Sequence, residues 1–187
     1  MIFRVTHRAR AFLGLPKSAL SDVTLRDSLG VHEWYFSLYI VDRRKCLLCT
    51  HAPTLLSFVA AGVRKAQLAK FGAWFRQTAE EALLIEGLTT EALAFLLPAE
   101  SDCFAQASDR SLLGSMNDFG RMFQNIVYDV DNLAYVRWER VRDSINESPM
   151  SYLGFRSPRE VMAALLEAEL SEPRRDPRPA ASTRSPN

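Results

Sequence analysis

Cysteine is scarce in this 187-residue chain: there are three, an odd number that gives no disulfide framework and fits thiols kept reduced. The histidines all lie before position 52, so a Ser-His-Asp arrangement would need long-range assembly that no motif supports. Net charge is nearly absent: 23 Lys+Arg stand against 22 Asp+Glu, which disfavours a strongly basic nucleic-acid-binding core. No apolar run approaches the ~20 residues of a membrane helix. The opening Met1-Ile-Phe-Arg-Val-Thr-His-Arg lacks the basic-then-apolar pattern of a secretory signal. Also missing are a Gly-x-Ser-x-Gly elbow, a His-Glu-x-x-His pair, a phosphate-binding glycine loop, a dinucleotide fingerprint and any internal repeat. These absences lead to the expectation of a cytoplasmic protein with no membrane span, cofactor or metal.

What is present reads as an ordinary globular domain, 48% apolar and 24% charged. The stretch from Ser171 to Asn187 has no bulky apolar residue and four arginines, and is read as a disordered Pro/Arg-rich tail carrying +2. A single domain then covers residues 1–170, with a net charge of −1. Ile2 to Thr6 reads as a strand and His7 to Leu13 as a short helix. Trp34 to Val41 is the strongest strand, with Phe36, Leu38 and Ile40 on one face and Tyr35, Ser37 and Tyr39 on the other. A short polar interruption, Asp42-Arg43-Arg44-Lys45, precedes a second apolar run and predicts a β-hairpin. After Gly62 the period lengthens: Leu68, Phe71, Phe75, Ala79 and Ala82 mark a long helix, and Leu112, Met116, Phe119, Phe123 and Ile126 mark another. Cys103 to Ala107 reads as an edge strand. Ser157-Pro158-Arg159-Glu160 combines a capping box with proline at the first helical position. Strands first and helices second predict an α+β fold, an antiparallel sheet of about 4–5 strands with 4–5 helices on one face.

Three constellations could carry chemistry. Cys46-Leu-Leu-Cys49-Thr-His51 has the look of half a zinc site, but residues three apart on a strand point to opposite faces. Arg43, Arg44 and Lys45 form the densest basic cluster of the body, and Arg64 and Lys65, at the start of the first long helix, could extend it. Guanidinium forks suit phosphate or carboxylate, and cations at a helix start call for solvation or a bound anion. In the opening of the second long helix, Asp109, Arg110, Asn117 and Asp118 accompany Ser111 and Ser115, while Gly114 and Gly120 weaken the helix without an evident packing reason.

Several blocks also resemble, together, a bacterial family of unknown function. They are the opening Met-Ile-Phe-Arg-Val-Thr, Val41-Asp-Arg-Arg-Lys-Cys-Leu-Leu, Gly62-Val-Arg-Lys-Ala, Asp109-Arg-Ser-Leu-Leu-Gly-Ser-Met-Asn-Asp118, and Asn146-Glu-Ser-Pro-Met150 with Leu153-Gly-Phe. The resemblance covers about residues 1–170 and implies that the basic turn and the helix opening are family features; it transfers no catalytic residue. The leading expectation is a small binding or accessory module. Arg43, Arg44, Lys45, Arg64 and Lys65 would contact nucleic acid or a protein partner, and Asp109, Arg110, Asn117 and Asp118 would line an adjacent groove. A mobile-element, toxin–antitoxin or defence setting would suit such a module. One alternative is a small hydrolase or nuclease using Asp109 or Asp118 with Arg110. Another is a structural subunit presenting Tyr35, Tyr39 and Trp74.

Overall fold

Alternation along the aromatic strand decides the architecture. In the computed structural model, which describes residues 1–22, 30–99 and 102–171, this strand is β2 (Glu33–Val41). Trp34 and Phe36 enter one apolar cluster, and Tyr35 and Val41 enter another on the opposite face. A strand with bulky residues on both faces needs cover on both. β3 (Arg44–His51) pairs antiparallel with it from Val41↔Arg44 to Trp34↔His51, and splits in the same way. Leu47 and Cys49 face the first cluster, Cys46 and Leu48 the second. The two cysteines therefore diverge, as period-2 geometry requires.

β1 (Ile2–Val5), β4 (Ser57–Ala60) and β5 (Cys103–Gln106) complete a five-stranded sheet in the order β4-β3-β2-β1-β5. β1 lies parallel to both β2 and β5. The fold is α+β, with strands mostly N-terminal and helices mostly C-terminal. The sheet is mixed rather than antiparallel throughout, because both neighbours of β1 reach it by crossovers.

Helices cover both faces, which corrects the single covered face expected from element order. α1 (His7–Leu13), α2 (Phe71–Ile85), α3 (Thr90–Leu96) and α6 (Pro158–Ser171) supply Phe12, Phe75, Leu96 and Met162 to the first cluster. Phe3 of β1 meets Phe36, Phe71 and Phe75 there in edge-to-face contacts with ring centroids 5.2–5.5 Å apart. α4 (Arg110–Tyr128) and α5 (Trp138–Asn146) form the other layer through Phe119, Phe123, Val141 and Ile145. No described helix is long and apolar enough to cross a membrane.

Local chemistry sets the helix ends. Thr6 and Thr89 accept hydrogen bonds from the amides of Ala9 and Ala92, each at 3.3 Å. At α6 the capping box is reciprocal: the Ser157 amide donates to Glu160 at 2.7 Å, and the Glu160 amide donates to Ser157 Oγ at 3.2 Å. The helix expected after Gly62 starts later. Lys65–Lys70 is a 3₁₀ turn and α2 begins at Phe71, so Arg64 and Lys65 do not sit at the N-terminus of a long helix. The proposed tail falls outside the described residues beyond Ser171.

Candidate functional site

The β2–β3 turn holds Asp42 and Arg43 in left-handed conformations, φ 47° and 58°. A two-residue hairpin loop requires this twist, and its second position favours glycine. Arginine there is held against its backbone preference. Asp42 fixes the turn from below, because its carboxylate accepts the Leu133 amide at 3.2 Å. Arg43, Arg44 and Lys45 are left exposed.

Two other segments close on this hairpin. The Val63 amide donates to the Lys45 carbonyl at 2.9 Å, which brings Arg64 and Lys65 beside it. From α1, the Phe12 ring lies under the Lys45 ammonium, 4.7 Å from centroid to Nζ, a cation–π contact. The Lys65 side chain lies against Gly14, with Cε and Nζ each 3.6 Å from where a Cβ would be. Arg8 of α1 and Lys45 line the same groove, of about 650 Å³, together with Leu38, Tyr39 and Ile40 of β2 and Gln124 of α4. Arg8, Lys45 and Lys65 thus meet around α1, on the sheet face that Leu47 shares, with Arg8 not anticipated from sequence; Arg44, next to Lys45 on β3, points to the opposite face, with Cys46.

Their electrostatics are lopsided. Arg8, Arg43, Arg44, Lys45, Arg64 and Lys65 form no ion pair among the described residues. Farther along the chain, Arg121, Arg140, Arg142 and Arg159 are each paired with a carboxylate. A signal for this lay in the sequence: residues 1–70 hold 11 Lys+Arg against 4 Asp+Glu, and residues 71–170 hold 8 against 16. The near-zero total hides +7 followed by −8.

The helix opening is elsewhere. Asp109 is the N-cap of α4: Oδ1 accepts the amides of Ser111 and Leu112 at 2.9 and 3.0 Å, and Oδ2 accepts the Tyr152 hydroxyl at 3.2 Å. Burial and then the Asp109 charge push the Tyr152 hydroxyl up to about 12. Asp109, Ser111, Ser115 and Asp118 line one groove, so the expected stripe exists. Arg110 is not among its lining residues; Arg110 and Asn117 are exposed, and Asp118 pairs with Arg121 at 3.5 Å.

The hairpin tip packs against the far end of α4, where Asp42 shares a groove with Gln124 and Tyr128. Fifteen helical residues, about 22 Å of rise, separate Gln124 from Asp109. Asp109 and Arg110 therefore sit at the end of α4 away from the hairpin, whereas Asn117 and Asp118 lie mid-helix, Asp118 near enough to act on the same Tyr39 hydroxyl as Arg8. Gly120, read as lacking a packing reason, has one: a Cβ there would fall 2.2 Å from the Tyr39 ring. Gly114 has no atom within 4 Å of that position.

The remaining candidates are structural. His51 is fully buried, with Nε2 2.8 Å from the Val31 carbonyl and Nδ1 2.9 Å from the Thr54 hydroxyl. Burial pulls it down to about 4, so it is neutral, its Nε2–H donating to Val31. Tyr35 is buried and Tyr39 and Trp74 are half-buried, so they form no exposed apolar patch. Among the described residues the large exposed apolar side chains are instead Ile40, Leu84, Ile85, Tyr128, Tyr135, Trp138 and Phe155.

No curated protein shows significant similarity to the chain. A family model described as "Domain of unknown function (DUF6933)" matches residues 2–161, in keeping with the resemblance carried by the sequence blocks, and the chain belongs to that family.

Proposed function

We propose that the protein is a non-catalytic binding module whose basic face takes an anionic partner, an acidic segment of another protein. The supporting observation is that Arg8, Lys45 and Lys65 converge around α1, with Arg43 and Arg64 exposed nearby, and that none of them has an ion-pair partner among the described residues. Clustered like charges repel one another, and an incoming anion relieves that repulsion. An acidic protein segment is favoured over nucleic acid because the face is interrupted by an apolar groove lined by Leu38 and Ile40. It also covers only part of a body whose net charge is −1.

The hydrolase reading has less support. Asp109 is engaged as a cap and by Tyr152, and Arg110 does not reach its groove. No feature of the fold bears on a mobile-element, toxin–antitoxin or defence setting.

The test is fluorescence anisotropy with a labelled Glu-rich peptide and with single- and double-stranded oligonucleotides, across a salt series. The peptide is expected to bind more tightly than either oligonucleotide, and to weaken as salt rises. Arg8→Glu/Lys45→Glu/Lys65→Glu is expected to lose at least tenfold in affinity. Tighter oligonucleotide binding that the same variant abolishes would assign the face to nucleic acid instead. Unchanged peptide binding in the variant would overturn the proposal.

A further inference from the structure

β1 is shorter than its neighbour. Its pairing with β2 ends at Val5↔Phe36, whereas β2 continues to Val41. Ser37–Val41 therefore has β3 on one side and no paired strand on the other among the described residues. The chain turns away at that point, where the Thr6 amide donates to the Phe36 carbonyl at 3.0 Å and α1 begins. α1 then packs on one face of the sheet and α4 on the other, leaving a step between them.

The direction of the backbone groups on this step follows from the ladder. The carbonyls of His32 and Phe36 accept from β1, so even-numbered residues of β2 point that way. The next two, Leu38 and Ile40, present their N–H and C=O groups into the groove that Arg8, Phe12 and Lys45 line. Ile40 is 66% exposed.

The outer edges of the sheet are treated differently. At β4 the Asn146 side chain acts as a strand would: its Oδ1 accepts the Ser57 amide and its Nδ2 donates to the Ser57 carbonyl, both at 2.9 Å. At β5 the Ser21 amide donates to the Phe104 carbonyl at 2.7 Å. Edges that would recruit other chains are normally blunted in this way. Within the described residues no strand pairs with the β2 step, which α1 flanks and unpaired cations line.

We infer that the partner binds by strand addition: an extended acidic segment pairs with Leu38 and Ile40 of β2, with carboxylates on one of its faces meeting Arg8 and Lys45. This rests on the acidic partner proposed above and adds the mode of binding. Main-chain hydrogen bonds would supply affinity, and alternate side chains the selectivity. The step extends over about five residues, roughly 16 Å of strand, so a short segment fills it.

The experiment uses the full chain and a synthetic octapeptide of alternating Glu and Val, with end groups blocked. A second peptide of the same sequence carries N-methyl groups on every backbone amide, which removes strand pairing by either edge and keeps the charge. On the protein side, Ile40→Pro removes a groove-facing N–H while leaving the β3 ladder intact, because Ile40 does not bond to β3. The parent octapeptide is expected to bind, with protection of the Leu38 and Ile40 amides from hydrogen exchange. N-methylation and Ile40→Pro are each expected to weaken binding at least tenfold. Equal binding of both peptides, still lost in the Arg8→Glu/Lys45→Glu/Lys65→Glu variant, would overturn strand addition and leave the acidic partner standing. Absence of octapeptide binding at millimolar concentration would overturn strand addition, and binding indifferent to the charge variant would overturn both.

Discussion

Single buried polar side chains fix much of this molecule. His51 is neutral in the folded protein, its pKa drawn down to about 4 by burial, whereas an unfolded histidine titrates near 6.5. Between those values the unfolded chain binds a proton that the native state refuses, so stability is fully present above pH ~6.5 and lost as pH falls towards 4. Urea unfolding at pH 7 and pH 4.5 should show a loss of about 2 kcal/mol assignable to this residue, and His51→Gln should flatten that dependence. Asn146 is a second such residue. Its amide joins the Ser57 backbone to Glu86, with Nδ2 2.6 Å from the Glu86 carboxylate. Asn146→Ala leaves buried groups unpaired and should cost about 3 kcal/mol, read as a lower urea midpoint. Asn146 opens one of the blocks that carried the family resemblance. Sequence alone gave no reason for it, because an asparagine that bonds to a strand 89 positions earlier leaves no local pattern.

Elements were far more legible than their partners. The hairpin and the last capping box follow from residues within four positions of each other, which is why the Asp42–Lys45 turn and the Ser157 cap could be read from sequence, whereas the Thr6 cap reads there only as the end of a strand. The parallel partners of β1 lie about 30 and 100 positions away, and periodicity carries no information about such pairings. The same limit applied to the site: each basic run was visible, but neither their union through Val63 nor the 22 Å that separates them from Asp109 was. Two substitutions test the elements themselves. Arg43→Gly relieves the left-handed backbone at the second turn position and should stabilise the hairpin by about 1 kcal/mol, while weakening binding of acidic peptide. A protein that keeps arginine there is trading stability for a cation at the tip. Gly120→Ala forces a methyl into the Tyr39 ring and should cost about 2 kcal/mol by thermal unfolding, although alanine is the better helix former.

For the whole molecule, charge is segregated along the chain as well as in space. At pH 8.5, above the sequence pI of about 7.7, the protein carries net negative charge. It should nevertheless be retained on phosphocellulose at about 0.1 M salt, because the basic face acts locally and screening limits the reach of the distant carboxylates to about 10 Å. The Arg8→Glu/Lys45→Glu/Lys65→Glu variant should pass through the column. The position of β1 has a consequence for synthesis. β1 is flanked on one side by β5, whose pairing partner for Ile2 is Cys103. A ribosome must therefore extend the chain by another hundred residues before the opening segment acquires both of its neighbours. Until then Phe3 lacks the Phe104 ring, whose centroid lies 5.5 Å from its own in the folded protein, and one edge of β1 has no strand to pair with.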